Sequence, residues 1–251
     1  MSALAREVRS ARIALGLLTR LPVDHGPTAP AELGRAAGWF PVVGALLGAC
    51  MAIAARLLVG RLGSSLTATV AIAALAALTG GLHLDGLGDV FDGLAAARGD
   101  RERMLAVMRD SRVGAAGAAA ISLVLIAKVL ATGELLARGE LGALVVFPAI
   151  GRWTAVVLMA RHRSARSEGL GRSFAAHTGA REVTIATAVV LVLVVWMGRA
   201  LLMPAALALV AALAFGSWIG RRLDGLTGDV YGAAVELSEV VVLAGLIAAG
   251  S

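Results

Sequence analysis

VGAAGAAAISLVLIAKVLATG, residues 113–133, is a run of 21 residues whose one charged member is Lys128. As an α-helix rising ~1.5 Å per residue it reaches ~30 Å, the hydrocarbon thickness of a bilayer, and so reads as a membrane-spanning helix. The pattern recurs at 42–60, 65–82, 141–160, 183–199, 201–220 and 231–250, which makes seven expected spans separated by polar breaks. Composition agrees: 59% of the residues are hydrophobic and 16% charged, with a mean hydropathy of +0.84, values that belong to integral membrane proteins. Gly44, Gly48, Gly114, Gly117 and many alanines let helices approach closely where lipid supplies no hydrophobic drive. The expected fold is all-α, a polytopic transmembrane helix bundle in a single integral membrane domain, 1–251. Within it a segment 1–40 precedes a bundle 42–250 with polar loops at 83–112, 161–181 and 221–230.

Ahead of the first span, Arg6, Arg9, Arg12 and Arg20 flank the apolar run Ile13 to Leu18. That run is too short to cross and lacks a signal-peptide cleavage pattern, so an amphipathic interfacial helix is expected. The arginines are distributed unevenly. The N-terminal segment and the three polar loops hold seventeen, whereas the opposite connections hold only Arg61, Arg138 and Arg199. The positive-inside rule then puts the N-terminus and the polar loops in the cytoplasm, for a multi-pass protein of the cytoplasmic (inner) membrane. The net charge of +6 follows from this topology, and with 4% aromatic residues and none interleaved with the basic loops, nucleic acid is not an expected partner. One cysteine, Cys50, excludes an intramolecular disulfide and a cysteine metal site.

Chemistry concentrates in TGGLHLDGLGDVFDGLAAARGDRERMLAVMRDSR, residues 79–112. Asp85, Asp89 and Asp92 fall on a helix within a ~60° arc and ~10 Å of length, and three such carboxylates repel unless a cation neutralises them. A hard, oxygen-seeking ion of the size of Mg²⁺ is the natural candidate. Gly86, Gly88 and Gly93 leave open whether the three acids share one helical face or converge from a helix end and a loop. Arg109 and Arg112, close behind, are candidates to hold phosphates bridged by that metal. A second acidic stretch, DGLTGDVYGAAVELSEVVVLAG at 224–245, carries Asp229, Glu236 and Glu239 into an apolar segment. Glu236 stands one heptad after Asp229 on the same face, and the two stretches are expected to form one metal-binding cup from Asp85, Asp89, Asp92, Asp229 and Glu236. GLGRSF at 169–174 adds Arg172 as a phosphate ligand, and His83 is the histidine nearest the acids. Among charges inside spans, Lys128 and Arg56 are expected to snorkel to the far interface, while Arg152 is expected to face the bundle interior and meet carboxylates or a phosphate. No phosphate loop, dinucleotide fingerprint, HExxH or EF-hand loop is present in the sequence.

Seven stretches together resemble one family: LLTRLPV at 17–23, FPVVG at 40–44, GLHLDGLGDVFDGL at 81–94, MRDSRVGAAG at 108–117, GR at 151–152, GLGRSF at 169–174 and LTGDVYGAAVELSE at 226–239. This set is similar to the adenosylcobinamide-GDP ribazoletransferases, the membrane-bound cobalamin synthases. The resemblance implies attack by a hydroxyl of α-ribazole, or of its 5′-phosphate, on the activated phosphoryl group of adenosylcobinamide-GDP, with release of GMP and with Mg²⁺ as cofactor. Within that reaction Asp85, Asp89 and Asp92 would hold Mg²⁺ on the diphosphate, and Asp229 and Glu236 would complete its coordination. Arg109, Arg112, Arg152 and Arg172 would bind phosphate oxygens, and His83 or an aspartate would accept the hydroxyl proton. The implied partners are the two substrates and the lipid bilayer, with homo-oligomers and contacts to other late cobalamin enzymes left open. Two alternatives stand beside this reading. A CDP-alcohol phosphotransferase pattern fails where Val90 replaces its arginine, and a transporter would set its charges near the midplane rather than at one end.

Overall fold

The computed structural model describes residues 2–24 and 26–250, and its helices are α1 (Ala3–Leu18), α2 (Pro30–Ala37), α3 (Phe40–Thr79), α4 (Leu82–Ala97), α5 (Arg101–Val107), α6 (Ala115–Ala137), α7 (Gly142–Arg161), α8 (Leu170–His177), α9 (Ala180–Met197), α10 (Leu202–Leu223) and α11 (Gly228–Ala249). The protein is an all-α polytopic bundle. The only β pairing among the described residues is an isolated bridge between Ser164 and Leu226.

Six of these helices are long and apolar enough to cross a membrane: α3, α6, α7, α9, α10 with its leading 3₁₀ turn, and α11. The difference from the seven expected spans lies in α3. Its 40 residues would extend ~60 Å if straight, twice a bilayer. At Gly63, however, the backbone turns to φ +72°, ψ 168°, a conformation that glycine adopts without steric cost. Both ends of α3 then reach the C-terminal end of α1. Arg20 N–H donates to Leu78 O at 2.7 Å, and Phe40 shares a cleft with Leu17 and Leu18. Ser65, just past the turn, instead lies beside Gly133 near the far end of α6. Helix α3 therefore runs out and back, and its two arms correspond to the separate spans expected at 42–60 and 65–82.

Small residues set the spacing as expected. A Cβ on Gly44 would come within 2.5 Å of the Pro148 carbonyl oxygen, and one on Gly48 would strike the α7 backbone a turn away. Helix α7 is consequently the central post, buried along nearly its whole length. The polar segments are more ordered than the loops expected from sequence. The stretch 83–112 contains α4 and α5, and 161–181 contains α8. At the N-terminus α1 buries Ser10, Ile13, Ala14 and Leu18 and exposes Leu4 and Val8; Arg9 pairs with Glu32 of α2 at 2.7 Å.

Lys128 departs from its expected place. Rather than snorkelling, it is 2% exposed and donates to Glu236 at 3.0 Å and to Glu239, while Arg152, 1% exposed, donates to Glu239 at 3.0 Å. Two cations and two carboxylates from α6, α7 and α11 thus neutralise one another inside the bundle. Pairing of this kind makes buried charge tolerable in an apolar medium.

Candidate active site

Helix α4 is regular despite Gly86, Gly88 and Gly93, so the open choice resolves in favour of a helical arrangement of the three acids. Gly86 shows why a residue of low helix propensity is used. A Cβ there would lie 2.7 Å from the Asp229 carbonyl oxygen and 2.9 Å from its Cα, so α4 and α11 meet backbone to backbone. That contact brings Asp229 near enough to Asp85 and Asp89 for their charges to interact. Burial and the like charges of Asp85 and Asp229 push the Asp89 carboxyl up to about 7, against the opposing pull of Arg166. Asp229 pairs with Arg166 at 2.9 Å and accepts from Thr227 Oγ1 at 3.2 Å. The donor set is all oxygen and acidic, which fits a hard divalent cation. Among the described residues no three acidic, histidine or cysteine side chains stand close enough to enclose an ion without moving.

Asp92 is held differently. Its carboxylate accepts from Gly114 N–H at 2.7 Å and Gly117 N–H at 2.8 Å, so it caps the N-terminus of α6 from a neighbouring helix. Glu236 is not brought to Asp85, Asp89 and Asp229. One heptad past Asp229 puts it on the same face but ~10 Å along the helix, where it meets Lys128. His83, also on α4, is buried, and burial together with Arg152 and Lys128 holds its imidazole well below the usual histidine range, so it is neutral.

A cleft of about 310 Å³ opens beside these acids. Its polar side carries His83, Asp85, Arg152, Arg166, Arg172 and Asp229, and its apolar side Leu17, Leu18, Phe40, Leu82 and Phe174. Phe40 and Phe174 pack edge to face, with centroids 5.5 Å apart and planes at 73°. Six of the seven stretches quoted above contribute to this one wall: 17–23, 40–44, 81–94, 151–152, 169–174 and 226–239. The seventh, 108–117, supports it from behind, since Met108 O accepts from Arg166 at 3.3 Å and Gly114 and Gly117 hold Asp92.

Of the arginines named from sequence, Arg152 and Arg172 line the cleft and Arg109 and Arg112 do not. Arg112, its side chain 87% exposed, grips Asp110 at 2.6 Å and draws that carboxyl down to about 2. Arg172 is exposed and donates to Ser167 O at 2.7 Å. Arg166 and Tyr231 are wall residues that the sequence did not single out. Arg166 was one of five arginines in its segment with nothing to rank it, and a lone tyrosine in an apolar run gives no signal.

A family model described as cobalamin-5-phosphate synthase matches residues 10–247. A Klebsiella pneumoniae (strain 342) protein named adenosylcobinamide-GDP ribazoletransferase is 43% identical over 247 residues, covering 96% of this chain and 100% of the relative. Proteins of the same name from Shigella flexneri serotype 5b (strain 8401) and Escherichia coli O9:H4 (strain HS) are each 40% identical over 240 residues, covering 93% of this chain and 97% of the relative. No solved structure matches the chain.

Proposed function

The chain belongs to the cobalamin-5-phosphate synthase family and is a transferase of cobalamin synthesis, and on that premise we propose that its cleft joins α-ribazole, or its 5′-phosphate, to adenosylcobinamide-GDP. The hydroxyl oxygen bonds to the cobinamide-side phosphorus, its proton leaves, and the bond to the GMP oxygen breaks. The observation that carries this reading is the convergence of six family-like stretches on one cleft beside Asp85, Asp89 and Asp229.

Asp85, Asp89 and Asp229 would hold Mg²⁺, which when bound supplies charge neutralisation at the diphosphate. The protein's own groups do the remaining work. Arg172 and Arg166 present guanidinium donors to phosphate oxygens from the cleft wall, Arg166 from its place beside Asp229. His83, neutral and on the cleft wall, accepts a hydrogen bond from the attacking hydroxyl, and the proton itself passes to an aspartate, because burial, Arg152 and Lys128 disfavour the imidazolium. Asp92 acts at one remove, by fixing α6 against the helix that bears the other acids. The arginine distribution favours the cytoplasmic side of the inner membrane for the cleft end.

The test is direct. Purified protein in detergent, given Mg²⁺, adenosylcobinamide-GDP and α-ribazole, should release GMP, and Asp85→Asn should abolish release while leaving the thermal unfolding transition in place. No GMP from the wild-type protein under conditions that support a relative would refute the reading.

A further inference from the structure

We propose that the 310 Å³ cleft is the seat of the smaller substrate, the ribazole-type nucleoside, with its flat base against the apolar wall and its sugar or phosphate oxygens on three buried donors. This deepens the transfer reaction proposed above and rests on it.

Buried side-chain polar atoms are nearly always hydrogen-bonded, so those without partners mark where something else supplies an acceptor. Among the described residues six such atoms have none. Three of them, Tyr231 Oη, Arg152 Nε and Arg166 Nε, belong to residues of this cleft; the others, on Thr67, Thr132 and Thr178, lie elsewhere. All three at the cleft are donors. Tyr231 is 3% exposed and Arg152 1%, so bulk water does not readily satisfy them. The ligand that fits is rich in oxygen acceptors at one end.

Its other end faces a different surface. Leu17 and Leu18 from the end of α1, Phe40 at the start of α3 and Phe174 of α8 form an apolar wall with a crossed aromatic pair, suited to a planar heterocycle. Size narrows the choice. The cleft lies at the lower end of the ~300–1,000 Å³ typical of small-molecule sites, room for one bicyclic base and a sugar but not for a corrin ring with its amide side chains. Asp85 and Asp229 stand on the same wall, so a nucleoside seated this way presents its hydroxyls to the acids that would hold the diphosphate. The corrinoid therefore stays outside the cleft, and the end of the N-terminal helix, through Leu17 and Leu18, forms part of the nucleoside's wall.

Steady-state kinetics of the full-length enzyme in detergent, varying each substrate separately, tests this with Tyr231→Phe, which removes only the hydroxyl. The expected result is a roughly tenfold rise in KM for α-ribazole, equivalent to about 1.4 kcal/mol, with KM for adenosylcobinamide-GDP within about twofold of wild type. Running the same series with the 5′-phosphate tells which oxygens are read: a larger penalty there assigns the donors to the phosphate, an equal one to the sugar, and both support the seat. Wild-type protein should also be stabilised against heat by α-ribazole alone, without the second substrate, and Tyr231→Phe should weaken that effect; this arm stands even if a variant turns over poorly. A KM increase for adenosylcobinamide-GDP, alone or together with α-ribazole, overturns the proposal, as does an unchanged KM for both. Those outcomes differ from failure of the reaction itself, in which the wild-type protein would release no GMP.

Discussion

Asp89 and Asp92 are three residues apart on one helix and face different tasks. Asp89 sits between two like charges with a raised carboxyl, whereas both Asp92 oxygens are occupied by the first amides of α6. Between its ordinary value of 3.8 and about 7, Asp89 keeps a proton in the fold that the unfolded chain has lost. The metal-free fold therefore loses stability as pH rises through that window, and a cation that displaces the proton binds more weakly below about pH 7 than above it. Thermal stabilisation by Mg²⁺ should accordingly be larger at pH 8 than at pH 6, and Asp89→Asn should remove both the Mg²⁺ response and its pH dependence. A response equal at both pH values would take Asp89 out of the metal site. Asp92→Ala has the opposite signature. It removes a charged cap worth roughly 1–2 kcal/mol and should lower the melting temperature whether or not Mg²⁺ is present.

At the scale of elements, the four-charge cluster joining α6, α7 and α11 balances only as a set. Removing one partner leaves an uncompensated charge in an apolar interior, at a cost of about 3–5 kcal/mol. Lys128→Met should therefore unfold at markedly lower denaturant, and Lys128→Met combined with Glu236→Gln should recover much of the loss. If the double variant is no better than the single, the pair is not coupled. This cluster also shows where sequence reading stops. Heptad spacing gave the face of Glu236 correctly, but depth along the helix decides its partner, and Lys128 is chosen by the register of α6 against α11. Arg152 was legible because eight residues of mostly apolar helix separate it from Arg161, too far for escape to the interface. The glycines of α4 looked like helix breakers for the same reason that Glu236 looked like a ligand. Their purpose is contact with another helix, and one segment does not contain that information.

For the whole molecule, the apolar runs set the class and the expectation of seven spans, including the break between 42–60 and 65–82, since each must match the bilayer on its own. The hydropathy of 40–79 would equally suit one helix that continues, and it is the turn at Gly63 that makes it reverse. The two topologies differ in a measurable way. With α3 reversing, Arg61 and Arg199 lie at the end opposite the cleft and Glu102 at the cleft end, all three exposed. With α3 crossing once, everything after Thr79 would change sides relative to the N-terminus, and Glu102 would face outward. Cysteines introduced singly at 61, 102 and 199, in a chain whose exposed Cys50 is replaced by serine, separate these cases. A membrane-impermeant maleimide applied to intact cells should label positions 61 and 199 and reach 102 only after permeabilisation. Labelling of 102 in intact cells would put the acids and the cleft on the outer face, contrary to the arginine distribution, and would remove the substrate side from the cytoplasm.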